Sequence, residues 1–203
     1  MSLLVWLPLN GDLTNNGVSK IQLKDNGATI EDNGKLGKKC YYLNGKTLTY
    51  HGFTALNDTP EYSACCWVKF IAFPSGSQSY CISVNNTAST SLKFILGVVS
   101  SNGTTAKFRI NADSKSDVGT LQLNTWYHLA VCISNTTGYM YINGELVKTV
   151  TGLSQTASNN LVIGGRSSNA GATSFAGLGG PAHYNDVRIY NHCLTPREVK
   201  HLS

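Results

Sequence analysis

The 203-residue chain predicts an all-β domain, a sandwich or a barrel of many short strands. Three observations carry this. Asn-Gly pairs recur at Asn10-Gly11, Asn16-Gly17, Asn26-Gly27, Asn33-Gly34, Asn44-Gly45, Asn102-Gly103 and Asn143-Gly144. Both residue types tolerate the positive φ that tight hairpins demand. Between the pairs lie short runs rich in Val, Ile, Thr, Tyr and Phe. Charged residues make up only 13% of the chain, about half the usual share, so long amphipathic helices lack their polar face.

The elements follow in order. "MSLLVWLPL" opens the chain with a strand at residues 3–7. It lacks the basic start and small-residue cleavage site of a secretory signal, so the expectation is a mature form that begins here or leaves its cell inside a virus particle. Residues 10–38, rich in Asn, Gly, Lys and Asp, are the softest stretch. Further strands are predicted at 39–43, 46–50, 63–70, 79–84, 92–99, 107–111, 126–134, 138–142, 146–150, 161–163 and 186–190.

Within "WYHLAVCIS", Tyr127, Leu129, Val131 and Ile133 form one side and Trp126, His128, Ala130 and Cys132 the other. A strand apolar on both faces belongs in the middle of a sheet. His128 is accordingly expected as a satisfied core histidine, and Trp67 and Trp126 as core anchors. In "GYMYINGELVKTV" the Asn143-Gly144 turn puts Tyr139 and Tyr141 on one face and Met140 and Ile142 on the other. At the end, Thr195, Pro196 and Glu198 spell a capping box opening a short helical turn, with Leu194 and Val199 as a hydrophobic staple.

Composition narrows the chemistry. The net charge is +5, but the basic residues are scattered and the densest cluster is Lys35, Lys38 and Lys39. No basic stripe interleaves with aromatics, so nucleic acid is not an expected partner. No apolar run reaches membrane-spanning length. Cys40, Cys65, Cys66, Cys81, Cys132 and Cys193 sit in apolar strand patterns such as "ACCWV". They read as buried free thiols rather than disulfides. Cys65 and Cys66, adjacent on a strand, point to opposite faces. No Cys-x-x-Cys pair suggests zinc.

Five segments in order carry a family resemblance: "YYLNG" at 41–45, "EYSACCWVKF" at 61–70, "WYHLAVCISNTTGYMYINGELV" at 126–147, "NNLVIGG" at 159–165 and "NDVRIYNHCLTPREVKHL" at 185–202. Together they span almost the whole chain, which resembles the laminin-G-like domains of the concanavalin A-like lectin/glucanase superfamily. The opening "LLVWLPLNGDLTNNG" is similar to the start of such domains in phage and bacterial surface proteins. The resemblance implies one domain over residues 1–203, folded as a two-sheet antiparallel jelly-roll sandwich with a short C-terminal helical turn. It also implies that the first and last strands lie side by side. One departure stands out: "LGGPAH", residues 178–183, intervenes between Phe175-Ala176-Gly177 and the last strand and reads as an extended loop. Lengthened loops on a rigid sandwich are places for binding.

Glucanase relatives cluster acids on one strand, and retaining hydrolysis needs two carboxylates about 5 Å apart. Here Glu31, Glu61, Glu145 and Glu198 have no acid two positions away, so catalytic residues are not predicted. There is no Gly-x-Ser-x-Gly elbow and no phosphate loop. Some relatives hold calcium near the rim, and Asp12, Asn15 and Asp186 are the oxygen ligands that the resemblance would bring together. Sugar binding needs aromatic faces with polar donors in a groove. Tyr80, Arg109, Arg166, His183 and Tyr184 supply them outside the predicted core. The expected function is a non-catalytic recognition or adhesion module that binds a cell-surface or polymeric glycan, in a phage virion or on a bacterial surface. The alternatives are a structural virion protein making only protein contacts and a glycoside hydrolase with carboxylates drawn from remote strands.

Overall fold

The computed structural model describes residues 1–73, 77–86, 92–169, 174–176 and 179–203. The strands are β1 (Leu3–Leu7), β2 (Lys24–Asp25), β3 (Thr29–Glu31), β4 (Cys40–Leu43), β5 (Leu48–His51) and β6 (Glu61–Phe70). They continue with β7 (Ser77–Asn85), β8 (Leu92–Ser100), β9 (Thr105–Ile110), β10 (Val118–Gln122), β11 (Trp126–Ser134) and β12 (Thr137–Ile142). Then come β13 (Glu145–Val150), β14 (Asn160–Ile163), β15 (Arg166–Ser167), β16 (Phe175–Ala176), β17 (Ala182–Tyr190) and the helix α1 (Pro196–Leu202). Two antiparallel sheets stack as a sandwich. One runs β13-β12-β11-β6-β17-β4-β3, with β1 also paired to β17; the other runs β10-β9-β8-β7-β14-β5-β2.

Alternation decides what enters the core. From β6 come Tyr62, Ala64, Cys66, Val68 and Phe70; from β11, Leu129, Val131 and Ile133; from β8, Phe94, Leu96 and Val98. Side chains between these positions face outward, because successive residues of a strand point to opposite faces. β11 lies between β6 and β12, a central place that suits its two apolar sides.

β17 joins head to tail. Leu3 pairs with Tyr190 and Leu7 with Val187. On its other flank β17 follows β6 throughout, with a register shift between Asn185 and Arg188. Asp186 sits at that shift with φ 52°. Before the bulge the second neighbour of β17 is β4, and after it β1. The strand therefore starts at Ala182, four residues earlier than sequence patterning predicts. Ala182 and His183 belong to it rather than to the extended loop expected there; Gly177 and Leu178 of that stretch lie outside the described residues.

Several short elements escape a reading by periodicity. β2 and β3 are short strands at the edges of their sheets, within the Asn/Gly-rich stretch. Short polar strands are what sheet edges favour. In β10 the alternation is broken by Gly119 and by a register shift between Val118 and Leu121. Turn chemistry is most literal at Asn143-Gly144, the one Asn-Gly pair in which both residues take positive φ (51° and 82°), the demand of a type I′ hairpin.

The helix forms as its capping box dictates. Glu198 N–H donates to Thr195 Oγ1, and Thr195 N–H donates to Glu198 Oε2 at 2.7 Å. Leu194 and Val199 bury against Cys65, Ala130, Cys132 and Tyr141, so α1 closes one end of the outer face of the eight-stranded sheet. All six cysteines are free thiols, five buried and Cys193 half-buried. Burial pushes the Cys65 and Cys81 thiols up to about 12.

Candidate functional site

Beyond α1 the outer face of the eight-stranded sheet carries aromatic and basic side chains from four strands. Antiparallel register sets them in rows. His183 on β17 pairs with Tyr42 on β4 and with Lys69 on β6, and Lys69 pairs with Trp126 on β11. The next row runs Asn185, Trp67, His128 and ends on Asn143, whose side chain accepts from His128 N–H at 2.9 Å. Directly opposed side chains sit about 4.5–5.5 Å apart at Cβ, so each row makes one continuous strip.

The strip has an exposed rim and a buried floor. Trp126 and Tyr42 are half-buried, whereas Trp67, His183 and His128 are buried. The His183 ring lies 5.0 Å from Tyr42 and 6.4 Å from Trp126, between centroids. His183 Nε2 is 2.7 Å from Glu31 Oε2. The Lys69 ammonium stands 5.3 Å from the Trp126 ring centroid and the Lys35 ammonium 4.5 Å from that of Trp67. A cation over an indole face is held there by the ring quadrupole. Asn185 anchors the Lys35 loop: its Oδ1 accepts from Lys35 and Leu36 N–H, and its Nδ2 donates to Pro8, Leu9 and Lys39 carbonyls.

Beneath the rim several polar atoms are buried without a hydrogen-bond partner: Trp67 Nε1, His183 Nδ1 and both ring nitrogens of His128. His128 is thus buried as its apolar neighbours predict, but it is not the satisfied core histidine expected of it. Burial, followed by the nearby Arg188 charge, pushes its pKa down to about 4, so the ring is neutral at pH 7. Trp67 and Trp126 also differ from expectation, since they line this outer face and not the core between the sheets.

The residues picked out from the sequence are scattered over three places. Tyr184 is withdrawn as a sugar contact: it is 1% exposed and packs between the sheets, its hydroxyl beside the Cys81 thiol. His183 joins the strip just described. Tyr80 and Arg109 come together on the outer face of the seven-stranded sheet, because both pair with Gly97. Arg166 lies 5.2 Å from the Tyr80 ring centroid, and Tyr80 donates its hydroxyl hydrogen to Gln78 Oε1. Arg109 grips Asp117 through two hydrogen bonds of 2.5 and 2.7 Å. With its guanidinium spent on that carboxylate and Tyr80 buried, this trio is mainly a structural inlay. Beside it lies a cleft of about 270 Å³ lined by Lys107, Arg109, Asp117 and Thr120.

The calcium expectation meets engaged oxygens. Asp12 Oδ1 accepts from Thr14 N–H. Asn15 Oδ1 accepts from Trp6 and Gly17 N–H. Asp186 accepts from Trp6 Nε1 and Arg188 Nε. Among the described residues no group of three His, Cys, Asp or Glu side chains is placed to hold a metal ion. The four glutamates are also spread out: Glu31 bonds His183, Glu61 accepts from the Ser134 hydroxyl, Glu145 pairs with Lys200, and Glu198 caps α1.

Tyr42, Lys35, Lys69 and Glu31 were not legible as site residues. Lys69 alone of these has a sequence signal, its i, i+2 spacing from Trp67, which puts the two on one strand face as Trp126 and His128 are on theirs. Which face looks outward depends on the packing of the two sheets.

Stacked antiparallel sheets, closed by head-to-tail pairing and bearing an aromatic outer strip, define a jelly-roll sandwich of the lectin-like class. The chain belongs to the concanavalin A-like lectin/glucanases superfamily, whose laminin-G-type family matches residues 44–200. No curated protein sequence matches it. Among solved structures it is similar to a Trypanosoma rangeli sialidase in complex with 2,3-difluorosialic acid, at 14% identity and a TM-score of 0.67, covering 99% of this chain and 32% of the sialidase. It is similar to the binding domain of Paraclostridial Mosquitocidal Protein 1, at 14% identity and a TM-score of 0.66, covering 99% of this chain and 51% of that one. It is also similar to domain 4 of AbnA, a GH43 extracellular arabinanase from Geobacillus stearothermophilus, in complex with arabinotriose. Here the identity is 20% and the TM-score 0.67, covering 99% of this chain and 98% of that domain. At such identities the likeness establishes the fold. The chain spans about a third of the sialidase and about half of the mosquitocidal protein's binding domain.

Proposed function

We propose that this protein is a non-catalytic glycan-binding module and that the sugar docks on the outer strip of the eight-stranded sheet. The observation that carries the reading is the pair of half-buried rings, Trp126 and Tyr42, flanking the polar floor of His183 and Lys69. Sugar rings stack their C–H faces on aromatics and turn their hydroxyls to polar neighbours, and this strip offers both. Membership of a lectin/glucanase superfamily supports it, as does a similar domain in complex with arabinotriose. The separation of the four glutamates favours binding over hydrolysis. Single-site affinity on so shallow a face is weak and is raised by multivalency. The setting we propose is the surface of a phage particle or of a bacterial cell.

The test is a glycan array probed with protein displayed at high density. The unmodified protein retains a defined set of sugars, and Trp126→Ala and Tyr42→Ala each abolish retention while leaving the folded spectrum unchanged. No retained sugar at saturating density overturns the reading. A second reading, adhesion through protein contacts alone, is favoured by an open groove of about 1190 Å³ between β1 and α1. Leu3, Tyr190, Leu194 and Leu202 line its apolar side. Retention of a sugar on the array decides against it.

A further inference from the structure

Two cations on the strip have no anion. The ion pairs among the described residues engage Arg109, His183, Arg188 and Lys200, and neither Lys35 nor Lys69 takes part in one. Lys69 is the more telling. It is 9% exposed, and its stem is packed in the row between His183 and Trp126. The other buried lysine, Lys93, donates to the Thr59 carbonyl at 2.9 Å. Of the half-buried arginines, Arg109 and Arg188 each hold a carboxylate, and Arg166, on the other sheet, stands over the Tyr80 ring. An ammonium is a compact charge that demands oxygen acceptors, and holding one over a ring does not replace them.

Lys35 doubles the signal. It sits on a loop that Asn185 pins through three hydrogen bonds, to Lys35 N–H, Leu36 N–H and the Lys39 carbonyl, and its ammonium stands over Trp67. The two ammoniums therefore stand over two indoles whose parent residues, Trp67 and Trp126, lie in adjacent rows. The carboxylate on this part of the face, Glu31, is already bonded to His183. A net charge of +5 draws polyanions toward the molecule from a distance.

We infer that the glycan taken by this strip is acidic, and that its carboxylate or sulfate group is held between Lys35 and Lys69 while the sugar rings rest on Trp126 and Tyr42. The inference rests on the glycan reading of the same face. An anionic oxygen meets each ammonium in a charge-assisted hydrogen bond, which is shorter and stronger than the bonds a neutral hydroxyl makes. Neutral sugars would leave both ammoniums as they are now, without an anion.

The experiment is calorimetric titration of the whole chain with four probes: tetragalacturonic acid, its neutral counterpart galactotetraose, a κ-carrageenan tetrasaccharide, which carries sulfate but no carboxylate, and a thymidine octanucleotide. Either acidic sugar is expected to bind at least tenfold tighter than galactotetraose, and to weaken as NaCl rises from 50 to 300 mM; which one binds better tells carboxylate from sulfate. Lys35→Gln weakens acidic-sugar binding about fivefold and leaves the neutral sugar unchanged, whereas Lys69→Met, which also alters the floor, weakens the acidic sugars more than the neutral one. Lys35 is exposed, so its variant folds whatever happens at the buried Lys69. Equal binding of galactotetraose, or lysine variants that fail to discriminate, overturns the acidic assignment and leaves the glycan reading standing. Tighter binding of the oligonucleotide also overturns it. Failure of all three sugars overturns the glycan reading itself.

Discussion

His128 makes stability depend on pH within a narrow window. The ring is fully buried against Trp67, at 5.4 Å between centroids, with neither nitrogen hydrogen-bonded. Its pKa falls from the ordinary 6.5 to about 4. Between those two values the unfolded chain carries a proton that the folded chain refuses, so lowering the pH favours unfolding. Above pH 6.5 the full stability is present, and below pH 4 the loss is complete. At about 1.4 kcal/mol per pKa unit, the whole window is worth about 3 kcal/mol, of which about 2 kcal/mol is gone by pH 5. The assay is urea unfolding followed by tryptophan fluorescence at pH 7, 6 and 5, for the unmodified protein and for His128→Phe. Carboxylates titrate in both proteins and cancel in the difference. The variant should be flatter, gaining about 2 kcal/mol relative to the unmodified protein between pH 7 and pH 5. Parallel pH profiles would refute the reasoning, because the proton then enters elsewhere.

Other outcomes follow from single contacts. Asn185→Ala removes five hydrogen bonds from a fully buried amide. It should cost about 3 kcal/mol or more and lower Tm by roughly 6–12 °C in a scanning calorimeter. Thr195→Ala deletes the capping box of α1 and should cost about 1 kcal/mol, a Tm shift of roughly 2–4 °C. Gly97→Ala would put a Cβ 2.6 Å from the Ser79 carbonyl oxygen and 3.1 Å from Tyr80 Cδ1. A loss of about 1–3 kcal/mol is expected on urea unfolding. Titration with a disulfide thiol reagent should find Cys193 reacting first in the native protein, since the other five thiols are buried. Cys193→Ser should abolish that fast phase, and a fast phase that persists would place an accessible thiol elsewhere.

How much the sequence announced can be judged element by element. The alternation in "WYHLAVCIS" named the two sides of β11 correctly, and Asn143-Gly144 named its hairpin, because both signals depend on neighbours a few residues away. The capping box at Thr195–Glu198 was legible for the same reason. The start of β17 was not. Gly179, Gly180 and Pro181 punctuate the chain there, and the strand runs on through a bulge at Asp186 that only its partners β4, β6 and β1 sustain. Tyr184 was placed beside the loop and outside the core for the same reason, and the strand's continuation turns it into the core.

The sequence by itself determined that this chain makes strands, where most of them turn, which residues share a strand face, and how the last helix begins. Those are local matters, decided by φ preferences, alternation and a four-residue cap. Tertiary structure decided which face turns outward, and so converted Trp67 and Trp126 from expected core anchors into the lining of a strip. It also decided which strands lie side by side, and so brought Tyr42, His183, Lys69 and Trp126 into one row from positions up to 141 residues apart. No local preference encodes that meeting: it follows from burying the apolar faces of two sheets against each other, a requirement that only the folded whole can satisfy.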